Sequence, residues 1–366
     1  MDNTTCRLTG LTTDLKIDIM GRLDGPTVAS ISCTCSGLRD TTLDQELWRR
    51  ACHSIWPSTS LPGTDSLITD FKRFYGESYS LIFYRKKPDW SKEAAEAMRN
   101  TVAEIGPWKF QDFTSLVDVY YKRRCILSRA SVPVTETGEI SHEDKTGRAR
   151  DSATHTQNTW FTNCPFQWDI LEFPQSDNTI NGYTDSDAEH HRNRRTKLEE
   201  NLRLSWVLLN KKTGKSVNLS SREPIFSQRS WGYHGRDYIV HFGCIIPVDR
   251  SLFPQGIVKC TIAVSCSFKD GGQAPVLEEI SLHIEDTTGK HLNGKESLIV
   301  LNRALLCPRT TNKTKVKEGF SHYEMKKREF MRKIELKERV AITLFASVQV
   351  TVLVALVCLF TTRFTL

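Results

Sequence analysis

Twenty-three consecutive residues near the end of the chain, Val340 to Thr362 (VAITLFASVQVTVLVALVCLFTT), carry no charge. At about 1.5 Å per residue, a helix of this length crosses the roughly 30 Å hydrocarbon core of a bilayer with some tilt. Gln349 and a few Ser and Thr dilute the run, and their hydroxyls can bond back to helix carbonyls. Upstream, Arg309 to Arg339 holds eleven Lys and Arg against five Asp and Glu, and a positive flank stays cytoplasmic. Ser321 and Glu324 have capping-box spacing and predict a helix opening through KKREFMRKIELKER. The expectation is a basic juxtamembrane helix over 309–339 and a single transmembrane tail anchor over 340–362. A buried core helix is the competing reading; the basic flank and terminal position favour the anchor.

The segment also explains the charge. Net charge is +7, and eleven minus five leaves six of it there. The remainder is nearly neutral, so no nucleic-acid partner is expected. With 366 residues, 39% apolar and 25% charged, the chain has room for two or three folded domains. Its eleven cysteines are scattered and odd in number, without C-x-x-C or zinc spacing. No apolar signal region occupies the first thirty residues. Reduced thiols in the cytosol, no metal and no cofactor are expected, and the sequons at Asn3, Asn218 and Asn312 would stay unglycosylated.

From Leu11 to Trp56 the chain reads as three short amphipathic helices. Leu15, Ile19 and Leu23 recur at four-residue spacing, one helical face. Asp24-Gly25 breaks the pattern, and Pro26 suits the first turn of a second helix. There Val28, Ile31, Cys35 and Leu38 form one stripe, and after a polar turn (Thr41 to Asp44) comes a third group, Leu47, Trp48, Ile55 and Trp56. A unit this small is marginal unless a partner surface or the rest of the chain completes its core.

The stretch resembles an F-box, the module by which a substrate receptor docks onto the adaptor of SCF ubiquitin ligases. Leu11 matches the opening leucine, Asp14-Leu15 the acidic–leucine pair, and Ile19-Met20 and Leu23 the first-helix positions. Cys35 matches the motif's cysteine and Leu47-Trp48-Arg49 its closing LWR, while Thr12 and Leu38 depart from the usual proline and tryptophan. Further strings, WFTNCPFQWDIL, LSWVLLN and ISLHIEDTTGKHLNGKESLIVL, are similar to a plant F-box protein family with a long C-terminal region and, in some members, a hydrophobic tail. The resemblance implies adaptor contact through Leu11, Leu15, Ile19, Leu23, Ile31, Cys35, Leu38, Leu47 and Trp48. Through the adaptor it implies a cullin.

Residues 59–111 read as a short helical connector. Phe71, Phe74 and Tyr75 form a core stripe in it, and Ser91 is placed to cap a helix through Met98. Beyond it, strands are predicted at 116–121, 160–166, 168–173, 202–209, 216–219, 238–246, 257–268, 280–285 and 298–301. Leu202-Arg203-Leu204-Ser205-Trp206 alternates as in a sheet with one buried face. NKKTG (210–214) and DTTG (286–289) read as hairpin turns. The polar stretches 135–158 and 175–200 read as surface loops.

The expected fold is therefore multidomain: an all-α three-helix F-box (8–58), the connector, a β-rich sandwich-like domain (112–308) and a C-terminal transmembrane helix. P-loop, nucleophile-elbow and metalloprotease motifs are absent. His190-His191 lies among balanced charges, as in a solvated loop. Trp231, Tyr233 and His234, in a Gly-bracketed loop, are the candidate target- or ligand-binding residues. The expected function is a non-catalytic substrate-recognition subunit of an SCF-type ligase, its bulk facing the cytosol, anchored most simply in the endoplasmic reticulum. The alternative is a membrane-anchored protein- or glycan-binding module that does not direct degradation.

Overall fold

Short polar residues set the helix boundaries at the N-terminus. In the computed structural model, which describes residues 10–84, 109–132, 162–171, 188–229, 238–250, 252–268 and 274–364, this region forms α1 (Thr13–Gly21), α2 (Gly25–Ile31), α3 (Ser36–Thr41) and α4 (Gln45–Ile55). The Asp24 carboxylate accepts the Thr27 N–H (3.0 Å) ahead of α2, and Asp44 accepts those of Glu46 (2.7 Å) and Leu47 (3.3 Å) ahead of α4. The region holds four helices where three are predicted. The Ser32 and Thr34 hydroxyls bond back to the carbonyls of Ala29 (2.6 Å) and Ile31 (2.8 Å), an alternative to continuing the helix.

The connector contributes α5 (Phe71–Tyr79), capped by Asp70. Phe71, Phe74 and Tyr75 are buried, as the aromatic stripe predicts. Trp48 meets Tyr75 at 5.1 Å between ring centroids, and Trp56 meets Phe74 edge-on at 5.7 Å. The Ser91 helix lies outside the described residues.

The strands are β1 (Leu81–Ile82), β2 (Phe113–Tyr121), β3 (Arg124–Ser131), β4 (Gln167–Leu171), β5 (Leu202–Asn210), β6 (Ser216–Asn218), β7 (Phe226–Arg229), β8 (Tyr238–Pro247), β9 (Ile257–Ser267), β10 (Val276–Glu285) and β11 (Arg309–Thr310). Among them lie α6 (Ala188–Asn201) and α7 (Gly294–Ala304), and α8 (Lys313–Phe364) follows. One sheet has the order β11-β1-β6-β5-β2-β3 and the other β4-β10-β9-β8-β7. Their facing sides share one core, in which Trp168 meets Trp206 edge-on at 6.0 Å.

Four readings of the β-region change. The alternation in β5 predicts one buried face, whereas both are covered: Leu116, Val207 and Leu209 pack with Trp48, Trp56 and Phe74 of the helices. Ser205 tolerates burial on that side because the Trp56 indole N–H donates to its hydroxyl at 2.8 Å. Residues 298–301 are helical. Asn293 and Glu296 form a reciprocal capping box ahead of α7, which turns a short apolar run from strand to helix. Residues 188–200, read as loop, belong to α6, whose buried Leu198 is too little for a visible apolar stripe. Of predicted strand 160–166, the described part makes one isolated bridge, Pro165 to Asn293. The 135–158 loop lies outside the described residues. The NKKTG turn is present: the Asn210 side chain accepts the N–H groups of Lys212 and Thr213, both at 3.0 Å.

The basic segment is also built differently. Arg309–Thr310 joins the first sheet beside β1. Helix α8 then starts at Lys313, where the Asn312 side chain accepts the Thr314 N–H at 2.9 Å. Ser321 lies inside the helix, its hydroxyl on the Lys317 carbonyl, and opens nothing. Val316, Phe320 and Tyr323 pack with Leu81, Ile245 and Ile257, so the start of α8 belongs to the β-region. The same helix runs on through Val340–Leu356, which is solvent-exposed and apolar enough to cross a membrane by length and composition.

Candidate interaction surface

The nine residues singled out at the N-terminus divide by exposure. Leu15 and Leu23 are exposed at 45% and 37%. Leu11, Ile19, Ile31 and Cys35 are half-buried. Leu38, Leu47 and Trp48 face inward, and the Trp48 indole N–H donates to the Thr42 carbonyl at 2.7 Å. The first two groups can touch a partner; the third shapes the helices that present them. Sequence reasoning passed over Leu43, exposed at 57% just ahead of α4; an apolar residue in an otherwise polar turn was its one signal. Leucines left this open to water are informative when they gather on one small unit.

Beneath this surface the helices are tied to the first sheet by polar contacts. Asp118, buried on β2, accepts the Ser58 N–H (2.9 Å) and hydroxyl (2.6 Å) and the Ser128 hydroxyl (2.7 Å). Burial pushes its carboxyl above the usual range, and the three hydrogen bonds oppose that. Tyr120 donates to the Ile55 carbonyl at 2.7 Å. The α4–α5 side is clamped by Arg49, whose hydrogen bond holds the Asp65 carboxyl below the ordinary range.

On the second sheet, burial first, then Lys259, lowers His241 to about 4, and burial, then His291, lowers His283 to about 4. Cys244, Cys260, Cys266 and Cys307 are buried, and none of them forms a disulfide among the described residues. Trp231, Tyr233 and His234 lie outside the described residues, so their role stays an expectation.

What this arrangement offers is binding: an apolar helical face fixed rigidly to a two-sheet body, which carries a long apolar helix. The chain is similar to three proteins of Arabidopsis thaliana. One, named an F-box protein, is 26% identical over 315 residues, 84% of this chain and 76% of the relative. A second F-box protein is 26% identical over 328 residues, 89% and 86%. The third, a probable F-box protein, is 27% identical over 316 residues, 86% and 78%. These matches support a plant F-box protein family for the chain. No family model matches it, and no solved structure does.

Proposed function

We propose that the chain is the substrate-recognition subunit of an SCF-type ubiquitin ligase, docking on the adaptor through its N-terminal helices and tethered to a membrane by α8. The observation that carries the reading is the coincidence of two facts: Leu15 and Leu23 are solvent-exposed, and they stand at positions the F-box resemblance assigns to the adaptor. The half-buried Leu11, Ile19, Ile31 and Cys35 stand at further positions that the resemblance assigns to the adaptor, and the buried Leu38, Leu47 and Trp48 shape the helices that present them. Segment 8–58 is the docking module, 59–111 its connector and 112–308 the target-binding part. Residues 309–339 lead to the anchor, 340–362.

Such a subunit needs no catalytic group. It raises the effective concentration of a bound target beside the transfer machinery, and ubiquitin transfer belongs to other subunits. A rigid link between docking face and target site serves that purpose, and the Trp56–Ser205 and Ser58–Asp118 bonds supply one.

The test is co-purification of the full chain, in detergent, with an SCF adaptor. Leu15→Asp and Leu23→Asp are the informative variants, because they place charge on the exposed face and leave the core intact. Binding lost in both supports the receptor reading. If the unmodified chain does not bind, a membrane-anchored binding module becomes the better account.

A further inference from the structure

A cavity of about 790 Å³ opens where the end of α4, the β2–β3 turn, β5 and the start of α8 meet. Five cations line it, Lys122, Arg123, Arg203, Arg222 and Lys313, against two carboxylates, Glu200 and Glu223. Among the described residues only Lys313 has a carboxylate partner, Glu223. Arg222 donates to the Tyr79 carbonyl and stacks over the Tyr79 ring at 4.4 Å. Arg203 donates to the carbonyls of Leu202 and Glu199. Lys122 lies 5.6 Å from the Tyr121 ring. Four cations thus share one concavity without a salt bridge among the described residues, and its two carboxylates leave a net surplus of three positive charges.

The backbone marks the same place. Lys122, Arg123 and Arg222, with φ of 48°, 64° and 60°, are the non-glycine residues with left-handed φ in the described chain, and all three line this cavity. Lys122-Arg123 is the two-residue turn between Tyr121 and Arg124, a position that ordinarily takes Asn-Gly. Two long cations held in a disfavoured conformation thus place positive charge at the cavity rim where the turn alone would favour Asn-Gly.

We propose that this cavity binds a phosphate-bearing ligand. Arginine forks match phosphate oxygens, and a phosphate ester brings nearly two negative charges to a site with a net surplus of three cations. The volume suits a small ester or one phosphorylated residue of a peptide. The inference stands apart from adaptor docking, which uses a different face.

The test is calorimetric titration of the detergent-solubilised full chain with inorganic pyrophosphate, at an ionic strength matched by sodium chloride. The double variant K122N/R123G restores a favourable turn while removing two charges, and R203Q removes a third. Saturable binding that weakens at least tenfold in each variant, with the melting temperature of K122N/R123G unchanged or higher, supports the site. Absence of saturable binding, or equal affinity in the variants, overturns it. Competition then distinguishes the sources. A phosphoserine peptide that displaces pyrophosphate better than free phosphoserine points to a protein ligand, and equal displacement points to a soluble ester; either supports the site.

Discussion

Ser58 and Asp118, sixty positions apart, are joined twice: the backbone N–H of Ser58 and its hydroxyl both donate to the Asp118 carboxyl, at 2.9 and 2.6 Å. Neither residue is exposed. This contact closes the seam between helices and sheet, so its loss should be felt across both.

Asp118→Ala strands the Ser58 N–H and the Ser128 hydroxyl, and should cost about 1–3 kcal/mol. Denaturant unfolding measures it. Because burial raises the folded carboxyl's pKa above its unfolded value, the associated stability is full below the unfolded pKa and declines as pH rises through the folded one. The unmodified protein should therefore lose a little stability on that rise, and Asp118→Asn should not.

Gly25, at the start of α2, lies against the Tyr75 ring so closely that an added Cβ would collide with it. Tyr75 is hemmed in by Trp48, Trp56 and Tyr79 and cannot withdraw. Gly25→Ala should destabilise by about 1–3 kcal/mol through overpacking. A lowered melting temperature, with near-native far-ultraviolet circular dichroism, is the expected result.

The histidines of the second sheet give the opposite pH response. His241 is stacked on Phe226 with Lys259 nearby; His283 faces His291, Lys259 and Glu285. Both are lowered to about 4, so their contribution is present above about pH 6.5 and is lost as pH falls towards 4. His241→Gln with His283→Gln should flatten that loss by on the order of 1 kcal/mol per site, discounted for partial exposure. Thermal unfolding from pH 7 to 4.5 reads it.

Ending the chain after Arg339 should free it from membranes while leaving the body folded, since Val316, Phe320 and Tyr323 remain. The full chain should stay in the pellet after an alkaline carbonate wash and the shortened one should not. Equal unfolding curves would show that the packing survives.

How far the sequence spoke depends on the element. The strands β2, β5 and β8 to β10 were legible because β-branched and aromatic residues fill them densely. Strand β3 was not: it is an edge strand whose pattern is mostly exposed, with Arg124 and Arg129 on it. Helix α6 hides because Leu198 is its buried apolar anchor, and α7 because LIVL suits either structure until its cap is recognised. In the candidate docking face, four-residue spacing found Leu15 and Ile19 on α1, whereas Leu23 lies beyond the end of that helix, in the turn before α2. Spacing could not say that Leu47 and Trp48 turn inward while Leu15 turns out, because periodicity groups residues without naming what covers them. Asp118 was silent for a related reason: its meaning depends on a serine sixty residues away.

Helix α8 is continuous from the turn where the Tyr323 hydroxyl donates to the Asp286 carbonyl, at 2.6 Å, through the apolar residues beyond Val340. The sixteen residues between Tyr323 and Val340 make about 25 Å of rod. With its far end embedded as proposed, this helix is a strut rather than a leash. It would hold the two-sheet body at a set height above the lipid, and the targets within reach would be those presenting themselves in that layer.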